Sequence, residues 1–187
     1  MKKILTGSLL LLFCACSHKK KEAFFPVLSY IKSQVAQVDT SFYPIIRITW
    51  LDSVRTDTQY VKREEFAGLA GDFLEIPDLT EKKYQSLYKE EKFFDEGLNR
   101  VVFTCKPTNT DTAIIQQQET QIVPDPSGDK VKSFFIDLLV SNKDSLVEKK
   151  MLWKVDESFQ VATLIQKPGQ LQTIHIMKVA WNMKPDE

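Results

Sequence analysis

Cysteine, histidine, glycine, proline and long apolar runs are all scarce in this chain of 187 residues, and each scarcity closes off a class of protein. Three cysteines are too few for a disulfide framework that could replace a hydrophobic core. Two histidines, with no His-Glu-x-x-His, do not make the usual catalytic zinc centre. No Gly-x-Ser-x-Gly elbow is present to present a nucleophilic serine. Six glycines and 8 prolines exclude collagen-like or linker-dominated structure. Twenty-five basic residues balance 25 acidic ones, which excludes a nucleic-acid binder working through bulk positive charge. What remains is an ordinary globular composition, 43% hydrophobic and 27% charged, in a chain long enough to build a core.

The strongest positive signal is N-terminal. Met1-Lys2-Lys3 gives a short basic end, Ile4 to Phe13 is almost wholly apolar, and Phe13-Cys14-Ala15-Cys16-Ser17 follows. A basic end, an apolar stretch and a small residue before a cut are the parts of a secretory signal peptide. The apolar stretch is about ten residues, whereas a bilayer span needs about 17–25. Cys16 has the small Ala15 before it, while Cys14 has the bulky Phe13. The segment resembles the lipobox of bacterial lipoproteins, in particular small envelope lipoproteins of the Bacteroidetes type. Phe13 stands where that family usually has leucine. The resemblance implies cleavage between Ala15 and Cys16, a thioether-linked diacylglycerol on Cys16 and a further acyl chain on the new amino group. Two or more chains, at about 0.8 kcal/mol per buried methylene, give stable anchoring. Ser17 in place of aspartate implies sorting to the outer membrane.

The expected organisation is therefore a signal peptide over 1–15, a lipidated cysteine and polar tether over 16–23, and one α+β domain over 24–187. The tether contains Lys19, Lys20 and Lys21. It reads as a solvated spacer reaching about 20 Å at roughly 3.3–3.6 Å per residue, with contact to anionic head groups as the alternative. Loss of Lys2 and Lys3 and segregation of the tether lysines leave the body mildly acidic.

Leu28, Ile31, Val35 and Val38 predict a helix over Phe24 to Val38, and Phe66, Leu69, Ala70, Phe73 and Leu74 predict another. Asp78-Leu79-Thr80-Glu81 has capping-box spacing ahead of a short helix through Tyr84, Leu87 and Tyr88. Strands are expected at Ile45–Leu51 and Thr56–Val61, and then at Arg100–Lys106, Thr112–Val123, Val131–Val140, Leu146–Val155, Phe159–Gln166 and Leu171–Trp181. Turn residues join them, notably Asp125-Pro126-Ser127-Gly128-Asp129 and Lys167-Pro168-Gly169-Gln170. Short joints favour antiparallel neighbours, so the second half reads as a long β-meander covered on one face by the N-terminal helices. Gln116 to Gln121 put polar groups on both strand faces, which predicts an overhang into solvent or else an edge. Ile45–Trp50 and Ile176–Trp181 match in kind, as a duplication or as chance likeness.

Few residues suggest chemistry. His175 lies in a strand and reads as a partly exposed strand residue. Cys105 shares parity with Val101 and Phe103 and reads as a small core hydrophobe. Asp125 to Asp129 reads as a hairpin turn in preference to a calcium loop. Glu64-Glu65 and Glu90-Glu91 read as helix surface. Gly68-Leu69-Ala70-Gly71 reads as a small-residue patch that lets a helix sit close to the sheet. The aromatic pairs Phe24-Phe25, Phe93-Phe94 and Phe134-Phe135 read mainly as core filling, with an apolar-ligand surface as the rival.

No catalytic residue, metal or cofactor is expected. The expected function is a non-catalytic binding or assembly module of the cell envelope, partnered by the membrane through its anchor and by another envelope protein, with no nucleic acid. The alternatives are a carrier of lipid or another apolar ligand in a half-open sheet, and a hydrolase with an unfamiliar site. Metabolic labelling with palmitate tests the anchor: Cys16→Ala is expected to abolish incorporation, and globomycin to accumulate the uncut chain. Label persisting in that variant would refute the assignment.

Overall fold

The computed structural model describes residues 24–182. The expected signal peptide, cut after Ala15, lipidation at Cys16 and tether all fall outside the described residues.

Helix α1 spans Val27–Thr40 and buries Val27, Ile31, Gln34, Val35 and Val38, the one stripe that its spacing dictates. It starts later than the periodicity suggests. Phe24 and Phe25 stand before Pro26, and the residue preceding a proline disfavours the helical region. Ser41 ends it, its N–H donating to the Val38 carbonyl at 3.0 Å.

The expected helix over 66–74 is broken. Arg63–Glu65 forms a 3₁₀ turn, then come α2 (Phe66–Leu69) and α3 (Gly71–Leu74), with Ala70 between them at φ −82°, ψ 3°. Glycine inside a helix costs roughly 0.5–1 kcal/mol relative to alanine, and Gly68 and Gly71 flank this break. The small-residue reading needs correction: a Cβ on either glycine would meet nothing within 4 Å, and only Ala70 is fully buried.

The short helix after Asp78 does not form. The Asp78 carboxylate accepts the Thr80 N–H at 3.0 Å and the Thr80 hydroxyl at 2.7 Å. That is a turn closing two residues on, not a cap reaching three. Tyr88 then opens a strand, so Glu90 and Glu91 lie on strand β3 and not on a helix surface. Glu64 and Glu65 do sit in a helical turn.

Among the described residues nine strands make one antiparallel sheet: β1 (Ile45–Trp50), β2 (Thr56–Val61), β3 (Tyr88–Asp95), β4 (Arg100–Pro107), β5 (Ile115–Val123), β6 (Lys130–Ser141), β7 (Leu146–Lys154), β8 (Ser158–Gln166) and β9 (Thr173–Ala180). From β3 to β9 each strand pairs with its successor, as a meander should. The β1–β2 hairpin joins beside β9, so the edges are β2 and β3. The two look-alike segments are sheet neighbours, with Ile46 opposite Ala180 and Trp50 opposite Ile176. With only these short helices, the described chain is mostly β.

One expectation is overturned. β5 is neither an overhang nor an edge, because it lies between β4 and β6. On one face its polar side chains are satisfied sideways, whereas Gln118 Oε1 on the other is buried without a partner. Arg100 Nη1 donates to Gln121 Oε1 at 2.6 Å, and Gln121 Nε2 donates to Glu119 Oε1 at 2.8 Å. Thr120 and Gln118 are buried on the other face, 2% and 3% exposed. Cross-strand polar pairs make such a strand tolerable within a sheet.

That other face carries the core. In register across it run Phe103, Thr120, Phe134, Trp153, Phe159 and Val179. Trp153 and Phe159 stack at 5.3 Å with 14° between planes. Phe73 meets both edge-on, at 5.1 and 5.4 Å. Phe66 meets Trp181 at 5.1 Å, and Tyr30 meets Phe134 at 5.3 Å. Such pairs add about 0.5–1.5 kcal/mol each beyond area burial. Phe159→Ala is accordingly expected to lower the unfolding free energy by about 3–5 kcal/mol, read from urea titration. Leu171→Ala, at a site 94% exposed, should change it by no more than about 0.5 kcal/mol. Equal effects would mean that the ring cluster is not the core.

Candidate functional surface

Cys105 and His175, the two residues weighed for reactivity, do not converge. Cys105 on β4 and His175 on β9 share a sheet face, but four strands lie between theirs. At about 4.8 Å per strand their backbones stand roughly 24 Å apart along the sheet. His175 is exposed and pairs across the sheet with Thr163. Cys105 is 2% exposed, between Glu90 on one neighbouring strand and Gln118 on the other. Burial pushes its thiol up to about 12, and the Glu90 carboxylate adds to that. A thiol so protonated is a packing group, as expected, and not a nucleophile.

Asp125 sits in the β5–β6 turn, where Gly128 takes φ +126°. Its carboxylate accepts the Ser127 N–H at 2.8 Å and Lys130 Nζ at 2.6 Å. Those hydrogen bonds from Lys130 and Ser127 hold it below the usual carboxylate range. Its oxygens therefore close its own hairpin. Among the described residues, no three His, Cys, Asp or Glu side chains converge as a metal site.

The aromatic pairs divide. Phe24 and Phe134 are buried, whereas Phe93 and Phe94 on edge strand β3 are each half exposed. The core-filling reading holds for the first two and fails for the pair on β3, whose edge has no further described strand.

Three exposed aromatic groups went unnoticed in the sequence. Phe42 is 101% exposed, Tyr60 82% and Tyr43 57%. Arg63 gathers this end: Nη1 donates to the Val38 carbonyl at 2.5 Å and to Ser41 Oγ at 3.0 Å, and Nη2 donates to the Tyr43 carbonyl at 3.0 Å. The loop after α1 is thus tied to the chain leaving β2, and Tyr60 pairs with Ile46 just inside it. The usable signal was Pro44, which marks Phe42 and Tyr43 as loop residues. Large exposed apolar groups rimmed by polar ones, here Lys62 and Arg63, mark contact surfaces.

Two hollows are relevant. One of about 130 Å³ is lined by Pro77, Tyr84, Leu87, Tyr88, Ala113 and Ile114 among others. A wider, open groove of about 570 Å³ follows edge strand β3. No described helix is long and apolar enough to cross a membrane. With known proteins the comparisons give nothing: no family model, curated protein or solved structure matches the chain.

The state of Cys105 has a measurable consequence. Its folded value lies above the unfolded thiol's, about 8.5, so the stability it contributes is complete below that pH. The contribution is lost as pH climbs through the folded value. At pH 8 the Cys105 peptide is expected to escape iodoacetamide in the folded protein and to be alkylated in urea. The stability gap between wild type and Cys105→Ala should hold up to about pH 8 and narrow above about pH 9. A gap that stays constant to pH 10.5 would refute burial of the thiol.

Proposed function

We propose that this is a lipid-anchored protein of the cell envelope, held at the outer membrane, whose body is a non-catalytic binding or assembly module. In this reading the segments 27–40 and 63–74 roof one face of the sheet, and the end built by Phe42, Tyr43 and Tyr60 meets another envelope protein. The observation that carries the reading is the contrast between the two sets of rings. Phe66, Phe73, Trp153 and Phe159 are turned on one another and are fully buried, while Phe42, Tyr43 and Tyr60 are exposed. Aromatic side chains on a fixed frame are the residues that dominate protein interfaces.

The carrier alternative draws less support. A ligand pocket takes about 300–1,000 Å³ of largely apolar space, and the apolar hollow beneath Tyr84 and Tyr88 offers about 130 Å³. The larger groove is edged by Lys89, Glu90 and Glu91, which do not suit an acyl chain. The hydrolase alternative lacks support from His175 and Cys105, which lie on separated strands.

Site-specific photo-crosslinking in cells tests the proposal. Benzoylphenylalanine at positions 42 and 60 is expected to give a discrete protein adduct, with none at position 171, an equally exposed site away from this end. Adducts of similar yield at all three positions would sink the assembly reading. A lipid-mass adduct retained in native mass spectrometry would replace it with the carrier.

A further inference from the structure

Among the described residues β2 pairs only with β1, so its other side is an open sheet edge. Natural edges are guarded by lysine, proline or bulges. β3 carries Lys89, Glu91 and Lys92, whereas β2 has neither lysine nor proline and a single charge, Asp57. The register of β2 with β1 runs unbroken from Ile45–Val61 to Trp50–Thr56. The Leu51 N–H continues it by donating to the Arg55 carbonyl at 2.9 Å. Arg55 thus turns its backbone toward β1, and by strand alternation so do Asp57, Gln59 and Val61. Thr56, Thr58 and Tyr60 turn theirs outward, and all three side chains are exposed.

That edge is complementary to itself. With a two-fold axis through Thr58, this residue faces Thr58 of a second, antiparallel copy, and Thr56 faces Tyr60. Every outward N–H and C=O of β2 then meets one from the other strand. Asp57 falls opposite Gln59 of the second copy, so no like charges oppose. The two groups suit each other, since within one chain Gln59 Nε2 donates to Asp57 Oδ2 at 2.7 Å. Threonine pairs and polar pairs of this kind favour a sheet, and like charges directly opposite disfavour it. Other two-fold registers do worse: centred on Asp57 the pairing sets carboxylate against carboxylate, and centred on Gln59 it leaves Thr56 outside the pairing. The ends of the edge match as well. Antiparallel approach brings the β1–β2 turn of one copy, where Leu51 and Val54 are exposed, to the Val61 end of the other. That end adjoins the loop of Phe42 and Tyr43, which Arg63 ties down.

We infer that the β2 edge docks on the β2 edge of a second copy of this chain, joined two-fold about Thr58. The inference rests on the assembly reading of this end and names its partner. Phe42, Tyr43, Leu51, Val54 and Tyr60 then gather along one junction, which accounts for apolar exposure that a lone chain leaves to water.

The full chain carrying Thr58→Cys, mildly oxidised in nonionic detergent and read by peptide mass spectrometry, tests the register. Residues of a hydrogen-bonded cross-strand pair stand about 5.5 Å apart, inside the roughly 4.4–6.8 Å that a disulfide spans. The peptide holding residue 58 is therefore expected to link to its own copy. Tyr60→Cys is the control: its two copies are offset by the run from Thr56 to Tyr60, about 13 Å, and should link several-fold less. Thr58→Pro removes an N–H that β1 does not use, as an edge strand tolerates. By deleting both Thr58 hydrogen bonds it should weaken dimerisation roughly tenfold in sedimentation. Equal self-links at 58 and 60, none at 58, or a dimer indifferent to Thr58→Pro would overturn the inference. Photo-adducts at 42 and 60 that hold a different protein, with no link at 58, would leave the assembly reading standing and rule out the second copy. No adduct at either position would sink that reading and the inference with it.

Discussion

The stack of Trp153 on Phe159, clamped from above by Phe73, is the contact on which the rest of the structure depends. Among the described residues Cys105 is the one cysteine, so apolar burial must supply the cohesion that small disulfide-rich proteins obtain covalently. The stack joins β7 to β8 within the sheet and both to α3 above it. Phe66 extends it to Trp181, which closes the end where β9 meets β1. Among the described residues two buried side-chain atoms lack a hydrogen-bond partner, Gln118 Oε1 and, within this cluster, Trp153 Nε1. An unmet donor costs about 1–3 kcal/mol. A buried tryptophan hides about 150–250 Å², which at about 25 cal/mol per Å² is roughly 4–6 kcal/mol. Ring burial wins, and the indole stays.

The same balance explains which elements sequence reading located. Strand Thr56–Val61 was found with its bounds, because alternation flanked by turn residues leaves little freedom. The meander followed from its short joints. β5 was misplaced because glutamines were taken as signs of water, whereas Gln121, Glu119 and Arg100 bond one another along the sheet. Polarity in a sequence does not say whether a partner is solvent or a neighbouring strand. The stretch after Asp78 was misread because a carboxylate two residues before its N–H partner closes a turn. Tyr88, 5% exposed, is then needed in the core as the first residue of β3.

The candidate surface was harder to read than the fold, for a reason of principle. Phe42 and Tyr60 flank apolar strand residues, and hydrophobic residues in such places usually point inward. Tyr60 faces outward by strand alternation, and Phe42 lies in a loop that Arg63 ties down through three acceptors 20 to 25 residues earlier in the chain. No local pattern announces a clamp between residues so far apart. Cys105 and His175, by contrast, were legible because strand parity alone decides which face each occupies.

The positions of the two ends give the proposed function a geometry. The chain enters beside β3, and the exposed aromatics gather around β1 and β2, at the other side of a sheet ordered from β2 to β3. Eight strand spacings at about 4.8 Å make roughly 38 Å measured along the sheet. That is about twice the reach of the short tether at roughly 3.3–3.6 Å per residue. If the proposed anchor stands at residue 16, the module would need no long stalk to hold its aromatic end clear of lipid head groups. The sheet's own width provides the distance. With Trp153, Phe159, Phe66 and Phe73 all fully buried, the packed core would keep the exposed aromatics at a set distance from the edge where the described chain begins.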